Sequence, residues 1–193
     1  MTGDDAAPTL AQLMGKLSRS ATAEARGEVA DAIGRSIDSP DLGPVERDIA
    51  LDIVRKLAGD LEQQVRRNLA EAVRQSVGLP HDVAVKLARD VAEVSLPIIS
   101  DSVVLTDGDL VSIVEEGDTD KQLAIANRDE VSEVVAGALV ERGNEDVVAV
   151  LLATYKGLKP AAEDSLGEDA ERRLVWRINV NSRNAQGTTP IST

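Results

Sequence analysis

Phenylalanine is absent from this chain, and Tyr155 and Trp176 are its only aromatic residues. A core without rings has to be filled by Leu, Ile, Val and Ala. Ala lets backbones approach closely and Leu fills the gaps between them, which suits helices packed on helices. The same lack works against sites that stack bases or flat cofactors, because those rely on aromatic platforms. Val is frequent enough to suggest strands, so the spacing of apolar residues has to decide.

That spacing is helical nearly throughout. Val45, Ile49, Ile53 and Leu57 form an i, i+4 stripe, widened by Ala50 and Val54. Leu61, Val65, Leu69, Ala72 and Val73 form a second stripe, and Val83, Ala84, Leu87, Ala88 and Val91 a third. Leu110, Val111, Ile113 and Val114, then Leu123, Ala124 and Ala126, carry the pattern on. Val131, Val134, Val135, Ala138 and Leu139, and finally Val147 to Leu152, complete it. Alternation with period two is scarce and clearest at Val175-Trp176-Arg177-Ile178-Asn179-Val180. Breaks fall between the blocks. Ser39-Pro40-Asp41-Leu42-Gly43-Pro44 and Gly78-Leu79-Pro80-His81 interrupt the chain and place proline at the start of a helix. Thr106-Asp107-Gly108-Asp109 has the form of a capping box, and Asp129 is the expected cap of the helix after it. Gly117 and Gly143 read as helix stops able to adopt the left-handed conformation.

The blocks also repeat. Leu57-Ala58-Gly59-Asp60, Leu87-Ala88-Arg89-Asp90, Ile113 to Asp118 and Leu139 to Asn144 each end one apolar helix with an acid or amide before the next begins. The markers Asp60, Asp90, Asp118 and Asn144 lie 30, 28 and 26 residues apart. A helix precedes and follows each, so one helix pair is used about four times. A period of this size is the signature of a stacked helical solenoid. The predicted fold is all-α, built of stacked antiparallel helix pairs as a HEAT-like α-solenoid, with capping helices at its ends.

The segment Asp60 to Ala72, with Val65-Arg66-Arg67-Asn68-Leu69 inside it, resembles a HEAT-type repeat helix. The other units keep its apolar spacing but not its arginine. Residues from about Glu24 to Ala153 resemble the bacterial family known as domain of unknown function 2336. Val65 to Ala72, Leu79 to Ala84, Leu105 to Leu110 and Gln122 to Ala126 carry that resemblance. It implies an all-α HEAT-like array and no activity.

Around the array the expected organisation is a disordered N-terminus over 1–9 and a helical repeat domain over 10–156. A linker and C-terminal helix over 157–180 and a disordered tail over 181–193 complete it. Leu10, Leu13, Met14 and Leu17 predict a short N-terminal capping helix, followed by a helix near Ala23 to Ile37 that completes the cap. Trp176 beside Leu174, Val175 and Ile178 reads either as a terminal cap or as a partner anchor.

The chemistry that this composition admits is narrow. There is no cysteine, hence no disulfide or thiolate metal site, and His81 is the single histidine. Asp118-Thr119-Asp120-Lys121-Gln122 does not meet the calcium-loop pattern, and Asp107-Gly108-Asp109 lacks a ligand set after it. No phosphate-binding glycine loop or nucleophile elbow occurs. No cofactor, metal or catalytic residue is therefore expected, and the chain is not read as an enzyme. The net charge of −13 disfavours nucleic acid. No membrane span and no basic leader are present, so a cytoplasmic protein is expected.

Charge is unevenly spread. Asp101 to Val150 holds thirteen acids against Lys121, Arg128 and Arg142, whereas Arg55 to Arg89 is near neutral. Arg66, Arg67 and Arg74 lie in that neutral part, and Arg67 and Arg74 are seven residues apart on one helix face. They read either as ion pairs to neighbouring repeats or as an anchor for a carboxylate-bearing partner. The expected function is a non-catalytic protein–protein interaction scaffold, with Arg66, Arg67, Arg74 and Trp176 as candidate partner-binding residues and a homodimer as one option. The alternatives are a HEAT-like DNA-binding protein and an enzyme with an unrecognised site.

Overall fold

The computed structural model describes Leu13, Gly15 and residues 22–158. Every regular element among the described residues is helical. In chain order they are α1 (Ala23–Ser36), α2 (Pro44–Leu57), α3 (Gln63–Val73), α4 (His81–Ala88), α5 (Ala92–Asp101), α6 (Asp107–Glu115), α7 (Thr119–Ala126), α8 (Glu133–Arg142) and α9 (Glu145–Leu158). The four hairpins α2/α3, α4/α5, α6/α7 and α8/α9 are the pairs that the repeat predicts. The chain forms two compact units, divided in sequence between Thr106 and Asp107.

Local chemistry sets the helix starts. Thr22 Oγ1 accepts the Ala25 N–H at 3.4 Å. Pro44 opens α2, where a missing N–H costs nothing, and the Glu46 carboxylate turns back to accept the Gly43 N–H at 2.9 Å. Asp118, Ser132 and Asn144 cap α7, α8 and α9 by accepting the N–H groups of Lys121, Val135 and Val147. Ser132 thus takes the place expected of Asp129, because α8 begins at Glu133 and leaves Asp129 in the connection. Gly117 has φ of 81°, the left-handed stop that the sequence predicts. Gly143 does not: its φ is −73°. Glycine is needed there for space, since a Cβ would lie 2.5 Å from the Leu139 carbonyl oxygen and 2.7 Å from Val147 Cγ1.

In the first unit α1 packs on α3 and α3 on α5; α2 lies against α1 and α3, and α4 against α5. Val29 and Ile33 of α1, Val65, Leu69 and Val73 of α3, and Val94, Ile98 and Ile99 of α5 are buried. Two glycines seven residues apart bring α1 onto α3. A Cβ on Gly34 would collide with Ala72 Cβ and reach its carbonyl carbon at 3.0 Å, and one on Gly27 would meet Asn68 Nδ2 at 2.9 Å. In the second unit α6 packs on α8 and α7 on α9, and each also packs on its hairpin mate. The first unit therefore has α1, α3 and α5 in one continuous layer with α2 and α4 against it, and in the second unit each helix meets its hairpin mate and the next-but-one helix.

The apolar stripes need four corrections. Val45, Leu61, Val91 and Val134 are exposed. Each stands at or just before the start of a helix, where the first turn projects beyond the neighbouring layer. Leu61 lies outside α3, which begins two residues later. Leu13 is helical and buried, as expected of a cap; Leu10, Met14 and Leu17 lie outside the described residues. So do the predicted N-terminus 1–9, the tail 181–193, and the linker and C-terminal helix apart from Gly157 and Leu158, which still belong to α9.

Candidate functional site

Arg66 and Arg67 lie in α3 and Arg74 at its C-cap, and they do different things. Arg66 is the fourth residue of α3. Its Nε and Nη2 donate to the two carboxylate oxygens of Asp90 at 2.6 and 2.9 Å. Its Nη1 donates to the carbonyl oxygens of Asp60 and Leu61 at 2.8 and 3.3 Å. One guanidinium therefore binds the α2–α3 turn to the α4–α5 turn. This two-pronged pairing is the strong geometry for arginine and carboxylate.

Arg26, the fourth residue of α1, repeats the arrangement one step earlier. Its Nε and Nη2 donate to Asp60 at 2.7 and 3.0 Å. Both carboxylates also hold their own turns: Asp60 accepts the Glu62 N–H at 3.0 Å and Asp90 accepts the Val91 N–H at 2.8 Å. The hydrogen bonds from Arg26 hold the Asp60 carboxyl below the ordinary carboxylate range, and burial opposes this only in part. The Arg26 and Arg66 guanidiniums are raised in turn by their bonds to Asp60 and Asp90. At the fourth position of α5 stands Ser95, fully buried, with its hydroxyl lacking a hydrogen-bond partner among the described residues. The ladder of arginine clamps thus has two rungs in the first unit. In the second unit the corresponding markers Asp118 and Asn144 cap their own helices instead.

Arg74 is bound more loosely, with Nη1 at 3.2 Å from Asp101 and 3.8 Å from Glu71 on the exposed side of the first unit. Arg67 is exposed and makes no ion pair among the described residues. Arg67 and Arg74 are therefore both exposed, whereas Arg66 belongs to the frame. Trp176 lies outside the described residues. His81 is the exposed first residue of α4.

Two features escape a reading by apolar period alone. Arg26 is the same clamp as Arg66, displaced because α1 and α2, at 14 residues each, are longer than α3 and α4, at 11 and 8. The exposed residues of the α2–α3 and α4–α5 turns also repeat. Lys56-Leu57-Ala58-Gly59-Asp60-Leu61 matches Lys86-Leu87-Ala88-Arg89-Asp90-Val91 position by position except at Gly59/Arg89, with Leu61 and Val91 both aliphatic. Leu57, Ala58, Leu87 and Ala88 are buried, while Lys56, Lys86, Leu61 and Val91 are exposed.

In the second unit Glu115, Glu116, Asp118 and Asp120 are exposed around the α6–α7 turn, and Glu141, Glu145 and Asp146 around the α8–α9 turn. Among the described residues no three carboxylate or histidine side chains converge on a metal-sized site. No helix among them is long and apolar enough to cross a membrane.

Residues 94–183 match a family model described as an uncharacterised protein conserved in bacteria, the domain of unknown function 2336. The match begins within α5 and extends past the last described helix to include Trp176. Of the four stretches that carry the resemblance in sequence, Leu105 to Leu110 and Gln122 to Ala126 fall inside it; Val65 to Ala72 and Leu79 to Ala84 precede it. No curated protein and no solved structure matches the chain.

Proposed function

We propose, for a chain whose residues 94–183 belong to this bacterial domain family, a non-catalytic role as a protein–protein interaction scaffold or adaptor. The observation that carries this reading is the division of labour among the arginines. Two part-buried cations, Arg26 and Arg66, are spent on holding successive hairpins together. Arg67 in α3 and Arg74 at its C-cap, seven residues apart, remain exposed. A rigid frame that presents cations at a fixed spacing suits the carboxylates of a protein partner, which arginine binds in a two-pronged manner. It needs no reactive group of its own.

The test is affinity purification of the full chain from its native cell, with Arg67→Glu and Arg74→Glu variants alongside. The expected result is a co-eluting protein whose recovery falls at least several-fold with either variant and is unchanged by Glu28→Lys. Equal losses from unrelated surface charges would remove the case for this face.

A further inference from the structure

Past its first turn, the last described helix, α9, is apolar on every side. Val147 to Ala153 are seven apolar residues in succession, and a helix that is apolar all round is ordinarily enclosed. Yet α9 is enclosed on one side only. It packs on α7 and α8, and Val147 and Leu151 are buried. Val148, Val150 and Leu152 are partly exposed. On the side away from Val147 and Leu151, Ala149 and Ala153 are exposed, four residues apart and so one above the other. The end of a helical stack ordinarily turns a polar face to solvent, and this one does not.

The chain itself supplies a cover of matching character. The family match runs on from Leu158, the end of α9, to Arg183, twenty-five residues further, so the domain is longer than its described helices. Within that stretch Leu174, Val175, Trp176, Ile178 and Val180 place five apolar residues in seven. From Arg172 to Thr193 there are four arginines, Arg172, Arg173, Arg177 and Arg183, and no acid. The second unit is acidic, and its exposed Glu145 and Asp146 stand in the first turn of α9, beside the apolar face. Reach is no obstacle. α9 is about 21 Å long, and the sixteen residues from Leu158 to Leu174 can span up to about 50 Å. Such a tether holds the segment at an effective concentration on the order of millimolar, well above that of a second copy in dilute solution.

We infer that residues 172–183 return over the outer face of α9, with Trp176 against Ala149 and Ala153 and the arginines toward Glu145 and Asp146. Two alanines let a large side chain approach the helix closely, and Trp176 has the most apolar area of the segment to gain from cover. Trp176 then closes the end of the array and is not an anchor for a partner. The inference does not rest on the scaffold reading, which is carried by Arg67 and Arg74.

Trp176 is the single tryptophan of the chain, so its fluorescence reports on this contact alone. The test is acrylamide quenching of that fluorescence in the full chain. Quenching should be several-fold weaker in the native chain than in urea, and the same at every protein concentration, because the cover is the chain's own. Ala149→Arg/Ala153→Arg adds bulk and like charge at two exposed positions. It should raise quenching to the unfolded level while the far-ultraviolet circular dichroism stays in place. Glu145→Gln/Asp146→Asn should raise it in part, and Leu61→Arg, on the first unit, should leave it unchanged. A native tryptophan quenched as readily as in urea would overturn the inference. So would protection that survives Ala149→Arg/Ala153→Arg, or protection that fades on dilution, which would assign the cover to a second copy.

Discussion

Asp90→Ala removes a single carboxylate and should loosen the first unit far more than an average surface substitution. Asp90 receives two guanidinium bonds, at 2.6 and 2.9 Å, and its side chain is 15% exposed against 18% for Arg66. Hydrogen bonds to charged groups contribute about 1.5–3 kcal/mol each. Water replaces part of this, and Arg66 keeps its bonds to the Asp60 and Leu61 carbonyl oxygens, so the expected loss is about 2–3 kcal/mol for the pair of bonds. For a unit of this size that lowers the transition by roughly 10–20 °C. The assay is urea unfolding of wild type, Asp90→Ala, Arg66→Ala and the double variant, combined as a double-mutant cycle. A coupling of about 1.5–2.5 kcal/mol is expected between the two residues. The half-exposed Arg55–Asp82 pair at 3.3 Å serves as the control, with a coupling of roughly 0.5 kcal/mol or less. Additive losses at Arg66 and Asp90, or a coupling no larger than the control, would refute the claim that the clamp joins successive hairpins.

Two further outcomes follow from the same frame. Gly34→Ala should destabilise by about 1–3 kcal/mol, because the new Cβ meets Ala72 Cβ and backbone, neither of which can swing aside. Gly27→Ala should be neutral or gain up to about 1 kcal/mol of helix propensity, since its obstacle is the movable Asn68 amide; chemical denaturation of the two variants distinguishes the cases. The depressed Asp60 carboxyl contributes stability that is complete above the ordinary carboxylate range and is lost as pH falls through its lower folded-state value. Asp60→Asn should therefore be less stable than wild type at neutral pH and converge with it in strong acid, which urea midpoints across an acid titration would show.

The fold was largely legible because its main determinant is periodic. Stripes such as Ile49, Ile53 and Leu57 have one helical solution, and the markers Asp60, Asp90, Asp118 and Asn144 divide them into the four hairpins found. The apolar pattern failed at helix starts. Val45 and Leu61 extend their stripes by one step in sequence, but in space the first turn has already left the neighbouring layer, so the same residue type ends in solvent. Arg26 was missed for a different reason. Its distance from Arg66 is set by the extra length of α1 and α2, 14 residues each against 11 and 8 in α3 and α4, so the marker spacing assigns α1 to a cap and passes over the rung that it supplies.

The marker positions show how one repeated residue type serves two structural purposes. Asp60 and Asp90 stand one or two residues before the helix cap, where a carboxylate can reach both its own turn and an arginine from the preceding helix pair. Asp118 and Asn144 stand at the cap itself, and their side-chain oxygens are taken by the Lys121 and Val147 N–H groups. A shift of one or two residues along the chain thus converts a tie between hairpins into a tie within one. Arginine at the fourth position of α1 and α3 is useful only where the facing carboxylate stands before the cap. α7 has Gln122 there, buried and donating to the Val114 carbonyl oxygen of its own hairpin mate. Residue type and register change together, as they must if the cation is to have a buried acceptor.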